Sequence, residues 1–302
     1  WFTDTGGYNP AVCPHRIVES QPTSGESNWY WRSAPTFWAD TTVAERYGVQ
    51  LLDQEGYLVS DTLVWSDMGN QFEVQLSKPL SPNADYVLRW SDCAEQGEIA
   101  FRTSSLGAPL DGDASGLVGK TYNIDLVGAD WVEPGAMGAL MSLYFTTPVL
   151  LGVQWADDAT IDLLGAPGYE DAFGDLQQYV WSPTWDFPLA DFSGKPYFLA
   201  QTEQVVFTYA SVEIPVYNFS LEATFSADGS RMGGGVMAGL GDSRDMGVLF
   251  DQPDDEMAVC ELAASLGVYC EACPDGKETC LYLKALNVEG QLLSHVSLVE
   301  KN

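Results

Sequence analysis

Ser104-Ser105-Leu106-Gly107-Ala108-Pro109-Leu110-Asp111-Gly112-Asp113-Ala114-Ser115-Gly116-Leu117-Val118-Gly119-Lys120-Thr121 divides the chain. Small, turn-forming and acidic residues crowd this stretch, which marks an exposed linker at about 109–118. Residues 1–108 before it hold short alternating segments and two cysteines, and residues 119–302 after it are more aromatic and hold four. Ala114 followed by Gly119-Lys120-Thr121 satisfies a loose phosphate-loop pattern. That chemistry needs a strand before the loop and a helix after it, so that backbone N–H groups point at the phosphates. Here Asp111-Gly112-Asp113 precedes and Thr121-Tyr122-Asn123-Ile124-Asp125-Leu126 alternates with period two as a strand, so the linker reading stands.

Working back from the linker, Gln71–Leu76 alternates strictly, with Phe72, Val74 and Leu76 on one face. Tyr86, Leu88 and Trp90 share a face of the next segment, and Gly97–Thr103 repeats the pattern. Segments at Asn28–Ala39, Tyr47–Leu52 and Thr62–Ser66 fit the same scheme, with Gly-, Asn- and Asp-rich turns between. The expectation is an antiparallel β-sandwich of about seven strands. Trp29 and Trp31 fall on one face of the first of these segments. They are candidate stacking residues for a sugar ring, against the plainer role of cross-strand packing.

Three pieces of this half resemble the bacterial Ig-like domains of the S-layer type: Glu19-Ser20-Gln21-Pro22-Thr23-Ser24-Gly25, then Lys78-Pro79-Leu80-Ser81-Pro82-Asn83-Ala84-Asp85-Tyr86-Val87-Leu88, then Ile99-Ala100-Phe101-Arg102-Thr103-Ser104. The resemblance covers about residues 16–105. It implies an Ig-like sandwich serving as a spacer or adhesive module. The aromatic run Asn28-Trp29-Tyr30-Trp31 departs from the family pattern.

Beyond the linker the chain remains mainly β. Strands are expected at Lys120–Leu126, Val149–Trp155, Thr160–Leu164, Tyr197–Leu199, Gln204–Tyr209, Val212–Tyr217, Phe219–Phe225, Arg231–Met237, Leu281–Leu286 and Leu292–Val299. Consecutive hairpins favour an antiparallel barrel or sandwich. Two short helices interrupt it. One, Pro134–Thr146, is apolar nearly all round, which suits a core plug or a lid over an apolar ligand cavity. Met137, Leu140, Met141 and Tyr144 are its candidate ligand contacts. The other, Pro253–Leu266, opens with Asp254-Asp255-Glu256. That triplet complements the helix dipole and is also the source of a weak structural-calcium expectation; no other cofactor and no metal centre is expected.

The six cysteines imply an oxidising compartment. Cys13–Cys93 would tie the N-terminal lead to the sandwich. Cys260, Cys270, Cys273 and Cys280 allow three connectivities, among which Cys260–Cys273 with Cys270–Cys280 is favoured. Only one C-x2-C occurs, so a zinc knuckle pair is disfavoured. The strand Leu117–Leu126, Asp191-Phe192-Ser193-Gly194-Lys195-Pro196-Tyr197-Phe198, Gly233-Gly234-Gly235-Val236 and the cysteine cluster together resemble uncharacterised envelope lipoproteins of myxobacterial type. That family brings no assigned activity.

The chain carries 43 acidic against 13 basic residues, for a net charge of −30. Such a field repels nucleic acid and anionic bilayers. The longest apolar stretch, near Ala136–Phe145, falls short of the roughly 20 residues that span a bilayer. A lipid anchor remains open. His15 and His295 sit beside no nucleophile signature, and no catalytic motif occurs. The expected role is therefore non-catalytic: structural or recognition work on an extracellular, cell-surface or periplasmic protein or glycan partner of the bacterial envelope. The alternative is a binder of an apolar small molecule or carbohydrate in the C-terminal domain, and the third is a hydrolase.

Overall fold

The structure is a computed structural model that describes residues 16–40, 46–66, 70–138, 141, 143, 146–209 and 212–301. It is mainly β, and the chain divides into two compact units at Ala108–Pro109.

Among the described residues, eight short strands build the first unit: β1 Ile17–Gln21, β2 Thr36–Ala39, β3 Gly48–Asp53, β4 Leu58–Ser60, β5 Leu63–Trp65, β6 Gln71–Val74, β7 Asp85–Ser91 and β8 Gln96–Arg102. They pair into two antiparallel sheets, ordered β1-β2-β6-β5 and β4-β3-β7-β8. This is the strand order of an immunoglobulin-like sandwich with one extra edge strand. The period-two pattern works as expected: Phe72 and Val74 of β6, Tyr86 and Leu88 of β7, and Ile99 and Phe101 of β8 are all buried. Val49, Leu51 and Phe37 complete the core, and Tyr86 stacks on Phe101 at 5.6 Å. The Tyr86 hydroxyl accepts the Ser81 N–H at 2.8 Å. A tyrosine at the start of the penultimate strand, bonded to backbone a few residues upstream, is the corner that fixes such sandwiches.

The strand expected at Asn28–Ala39 is shorter than its pattern. Only Thr36–Ala39 pairs as strand. The Ser33 N–H turns back to the Tyr30 carbonyl, and the Trp29 indole N–H donates to the Ser33 carbonyl at 2.9 Å. Pro35, with no N–H to give a ladder, separates this turn from β2.

The second unit contains β9 Thr121–Asp125, β10 Asp130–Glu133, β11 Val149–Ala156, β12 Thr160–Glu170, β13 Leu176–Gln178, β14 Trp185–Asp186, β15 Ala190–Asp191, β16 Tyr197–Tyr209, β17 Val212–Phe225, β18 Arg231–Asp242 and β19 Cys280–Leu293. They form one antiparallel sheet, ordered β13-β12-β11-β9-β19-β18-β17-β16. Because first strand β9 pairs with last strand β19, the sheet curls into a half-barrel. β14 and β15 pair with β12 on the side nearest β16, where the rings of Trp185 and Phe207 meet at 5.2 Å.

Several strands are longer than their sequence fragments. Tyr197–Tyr209, Val212–Phe225 and Cys280–Leu293 each run through a break in the hydrophobic alternation. Two of the breaks are asparagines in the left-handed region, Asn218 at φ 49° and Asn287 at φ 55°. The β17–β18 register slips around Asn218, as a bulge requires. A bulge breaks the alternation without ending the strand.

The stretch read as a linker belongs to the second unit. Ala114–Leu117 is a 3-10 turn whose Ala114 and Leu117 are buried in that unit's core. The Asp111 N–H bonds Ala227 O at 2.8 Å, and the Gly119 N–H bonds Val153 O at 2.8 Å. Leu110, Ala114 and Leu117 anchor an otherwise polar segment, a signal that its Gly and Asp content hid.

The second helix runs only Ala258–Ser265. The Asp255 carboxylate accepts the Met257 N–H at 2.9 Å, holding the preceding residues in a side-chain turn that delays the helix. A further 3-10 turn, Arg244–Phe250, lies before it. The favoured cysteine pairing is overturned: the bonds are Cys260–Cys270 and Cys273–Cys280, with Cα separations of 5.7 and 5.2 Å. Gly267, at φ 81°, reverses the chain after the helix and brings Cys270 back to Cys260. A tight turn, in which the Cys273 N–H reaches Lys277 O at 2.7 Å, brings Cys273 to Cys280. Cys93 is also disulfide-bonded, and Cys13 lies outside the described residues.

Candidate functional site

Met137 and Met141 are buried against the inner side of the second unit. They line an apolar gap with Ile214, Met246, Val259 and Leu283, of about 20 Å³. A second internal gap, between Leu126, Trp185, Phe187 and Phe219, is also about 20 Å³. Each has room for about one water molecule and none for a small-molecule ligand, whose sites run to about 300–1,000 Å³. Leu140 and Tyr144 lie outside the described residues. The wall segment, which begins as a 3-10 turn at Gly135–Met137, thus inserts its methionines as packing.

Trp29 and Trp31 belong to the first unit. Both are half-buried. Trp29 packs edge-on to Phe101 at 6.4 Å, and Arg32 lies 5.3 Å from the Trp31 ring.

The phosphate-loop look-alike is occupied by protein. The Lys120 ammonium donates to the carbonyls of Asp228 and Gly229 at 2.9 and 3.1 Å, and Thr121 is buried. Beside it the Tyr122 hydroxyl donates to Gly229 O at 2.9 Å, and burial pushes that phenol well above its usual range. Asp228 accepts hydrogen bonds from Ser226 and from the backbone and side chain of Ser230, which hold its carboxyl down at about 2.

Asp242 is buried at the end of β18 and takes a forked ion pair from Arg244, which also reaches Asp275 at 2.6 Å. Hydrogen bonding to Asp242 raises the Arg244 guanidinium further above its ordinary value. The Lys277 N–H, with help from Arg244, lowers Asp275, against a smaller opposing effect of burial. Among the described residues, the one group of three possible metal ligands within mutual reach is Asp242, Cys273 and Cys280. Its two sulfurs are bonded to each other and its carboxylate to Arg244, so the donor set is already committed. Of the acidic triplet, Glu256 pairs with Lys277 at 2.7 Å.

Together these bonds make residues 266–280 a rigid, stapled loop. Its outer side faces the 3-10 turn at Gly135–Met137 across an open groove of about 440 Å³, lined by Glu133, Ala136, Tyr269, Glu271 and Tyr282 among others. Cys270 lies between Tyr269 and Glu271, so the bond to Cys260 fixes both groove residues. The isolated Glu271–Cys280 bridge joins this loop to the start of β19, which carries Tyr282. None of these four polar residues was singled out in the sequence. The available signal was the aromatic–cysteine–acid triplet Tyr269-Cys270-Glu271, which reads as ordinary until the cysteine pairing is known.

Another groove, of about 330 Å³, runs along Ser182–Asp186 and Gln204–Thr208 and includes Asp186 and Glu213. Burial, then the charge of Asp186, raises the Asp162 carboxyl. Asp162 is not among the groove's lining residues, so the two carboxyls do not face each other across that groove.

A scan against protein-family models found no match, and a search of curated proteins found none.

Proposed function

We propose that this protein is a non-catalytic structural and recognition module of the bacterial envelope, working outside the cytoplasm and meeting its partner through its outer surface. The observation that carries this reading is the packed interior of the half-barrel, where, among the described residues, the two gaps measure about 20 Å³ each. A carrier of this architecture keeps its ligand inside, and here Phe198, Phe207, Phe219, Phe225 and the two wall methionines take that space. The disulfides support a non-cytoplasmic location. The Ig-like strand order and the Tyr86 corner support the resemblance to bacterial Ig-like surface domains, and with it a spacer or adhesive role. No helix among the described residues is long and apolar enough to cross a membrane.

The test is mass spectrometry of protein purified from its source, in the native state and again denatured without reductant. The expected native mass is that of polypeptide alone, and the denatured mass falls about six units below that of the fully reduced chain, two per disulfide. A stoichiometric apolar molecule released on denaturation, or a full set of free thiols, overturns the reading.

A further inference from the structure

The groove beside the stapled loop presents two carboxylates, and Lys284, opposite Glu133 in the β10–β19 ladder, makes no ion pair with either. Among the described residues neither Glu133 nor Glu271 is ion-paired, and no Lys or Arg lines the groove. Glu133 is fixed by the Gly135 N–H at 3.1 Å, whereas the Glu271 carboxylate and the Tyr269 and Tyr282 hydroxyls make no hydrogen bond to any described residue. Tyr269 is 77 % exposed and Tyr282 40 %, and both line the groove. Aromatic faces flanked by carboxylates attract organic cations, through the ring quadrupole and by direct charge. The −30 field of the whole chain concentrates cations at its surface and repels anionic ligands. The Cys260–Cys270 bond holds Tyr269 and Glu271 in place before anything binds, which lowers the ordering cost of association.

We propose that this groove binds an organic ammonium group, with Tyr269 and Tyr282 stacking on it and Glu133 and Glu271 balancing its charge. This rests on the reading of the protein as an outer-surface recognition module and names the chemistry that the surface recognises. The ammonium group has two possible sources, a small quaternary amine or the lysine side chain of a partner protein.

The experiment titrates the full chain with choline, with an Nα-acetyl-lysine peptide amide, and with 3,3-dimethylbutan-1-ol, the uncharged isostere of choline. Binding is followed by NMR of ring-labelled tyrosine. Saturable shifts of Tyr269 and Tyr282 with choline identify a small quaternary amine, and with the lysine peptide a protein partner. The neutral isostere is expected to leave both signals unmoved. Tyr269→Ala and Glu271→Gln are each expected to weaken binding about tenfold, and 0.5 M salt to weaken it further. Both residues are exposed, and an unchanged thermal midpoint in each variant separates lost binding from lost folding. The proposal is overturned if neither cation shifts the tyrosines, if the isostere binds as well as choline, or if both variants keep full affinity. Saturable binding of a neutral oligosaccharide such as cellopentaose in place of the cations would assign the groove to a glycan instead. These outcomes leave the packed interior and the disulfide state untouched, so this proposal and the envelope-module reading fail separately.

Discussion

Adjacent residues on the wall segment Gly135–Met137 face different surroundings. Met137 points into a gap of about 20 Å³, while Ala136 lines a groove of about 440 Å³. The inner side is apolar and filled; the outer side is open, with two carboxylates and two tyrosines. The contrast teaches that a nearly all-apolar segment need not roof a ligand chamber. Its methionines finish a core, and the binding surface lies on its other side.

The largest expected effect breaks the inner side. Phe225 is fully buried, stacked on Phe198 at 5.1 Å and within 5.3 Å of Tyr122. Phe225→Ala is expected to cost about 3–5 kcal/mol in urea unfolding, and Met137→Ala about 2–5 kcal/mol. Ala136→Ser, one residue away, is expected to stay within about 0.5 kcal/mol of the parent. Equal losses at 136 and 137 would erase the distinction between the two sides.

The next effect concerns the loop that forms the groove's far bank. Arg244→Ala leaves the buried Asp242 carboxylate with no cation, only the backbone N–H of residue 244 at 3.2 Å and the Thr279 hydroxyl at 3.3 Å, and a loss of about 2–3 kcal/mol is expected from denaturant midpoints. Opening Cys260–Cys270 by a double change to Ala is expected to cost roughly 2–3 kcal/mol, from the chain entropy of a loop of about ten residues. Both changes should raise hydrogen exchange in residues 266–280 more than in β16–β18. Uniform exchange would mean that the loop is not a separate rigid element.

The smallest effect is a pH dependence. The folded Asp228 carboxyl sits at about 2, below the ordinary 3.8. A lowered carboxyl contributes stability that is fully present above the ordinary value and is lost as pH falls through the folded one. Unfolding midpoints measured from pH 5 to pH 2 should therefore drop less steeply in Asp228→Asn than in the parent. Identical slopes would contradict the hydrogen bonding described for Ser226 and Ser230.

Much of the fold was legible in the sequence because period-two patterning records burial directly. β6, β7 and β8 bury the residues that their alternation marked. The long barrel strands were legible only in pieces, because bulges at Asn218 and near Asn287 shift the phase of the pattern partway along. The segment 109–118 misled because a few apolar side chains, Leu110, Ala114 and Leu117, outweigh its turn-rich composition. The groove was the least legible. Glu133, Tyr269, Glu271 and Tyr282 come from three separate stretches, gathered by the β10–β19 ladder, the Glu271–Cys280 bridge and the Cys260–Cys270 bond, none of which spacing alone chooses. Met137 and Met141 line one gap, but apolar periodicity does not say whether the space beside it is full.

The account rests most heavily on that full interior. Its most direct test is an NMR spectrum of the protein labelled with methyl-13C methionine, recorded with and without one equivalent of dodecanoic acid. The Met137, Met141, Met237 and Met246 methyls all border the internal gaps and are expected to keep their positions. Saturable shifts at these methyls would show a chamber that opens to an apolar ligand, and would contradict the packed half-barrel on which the proposed function depends.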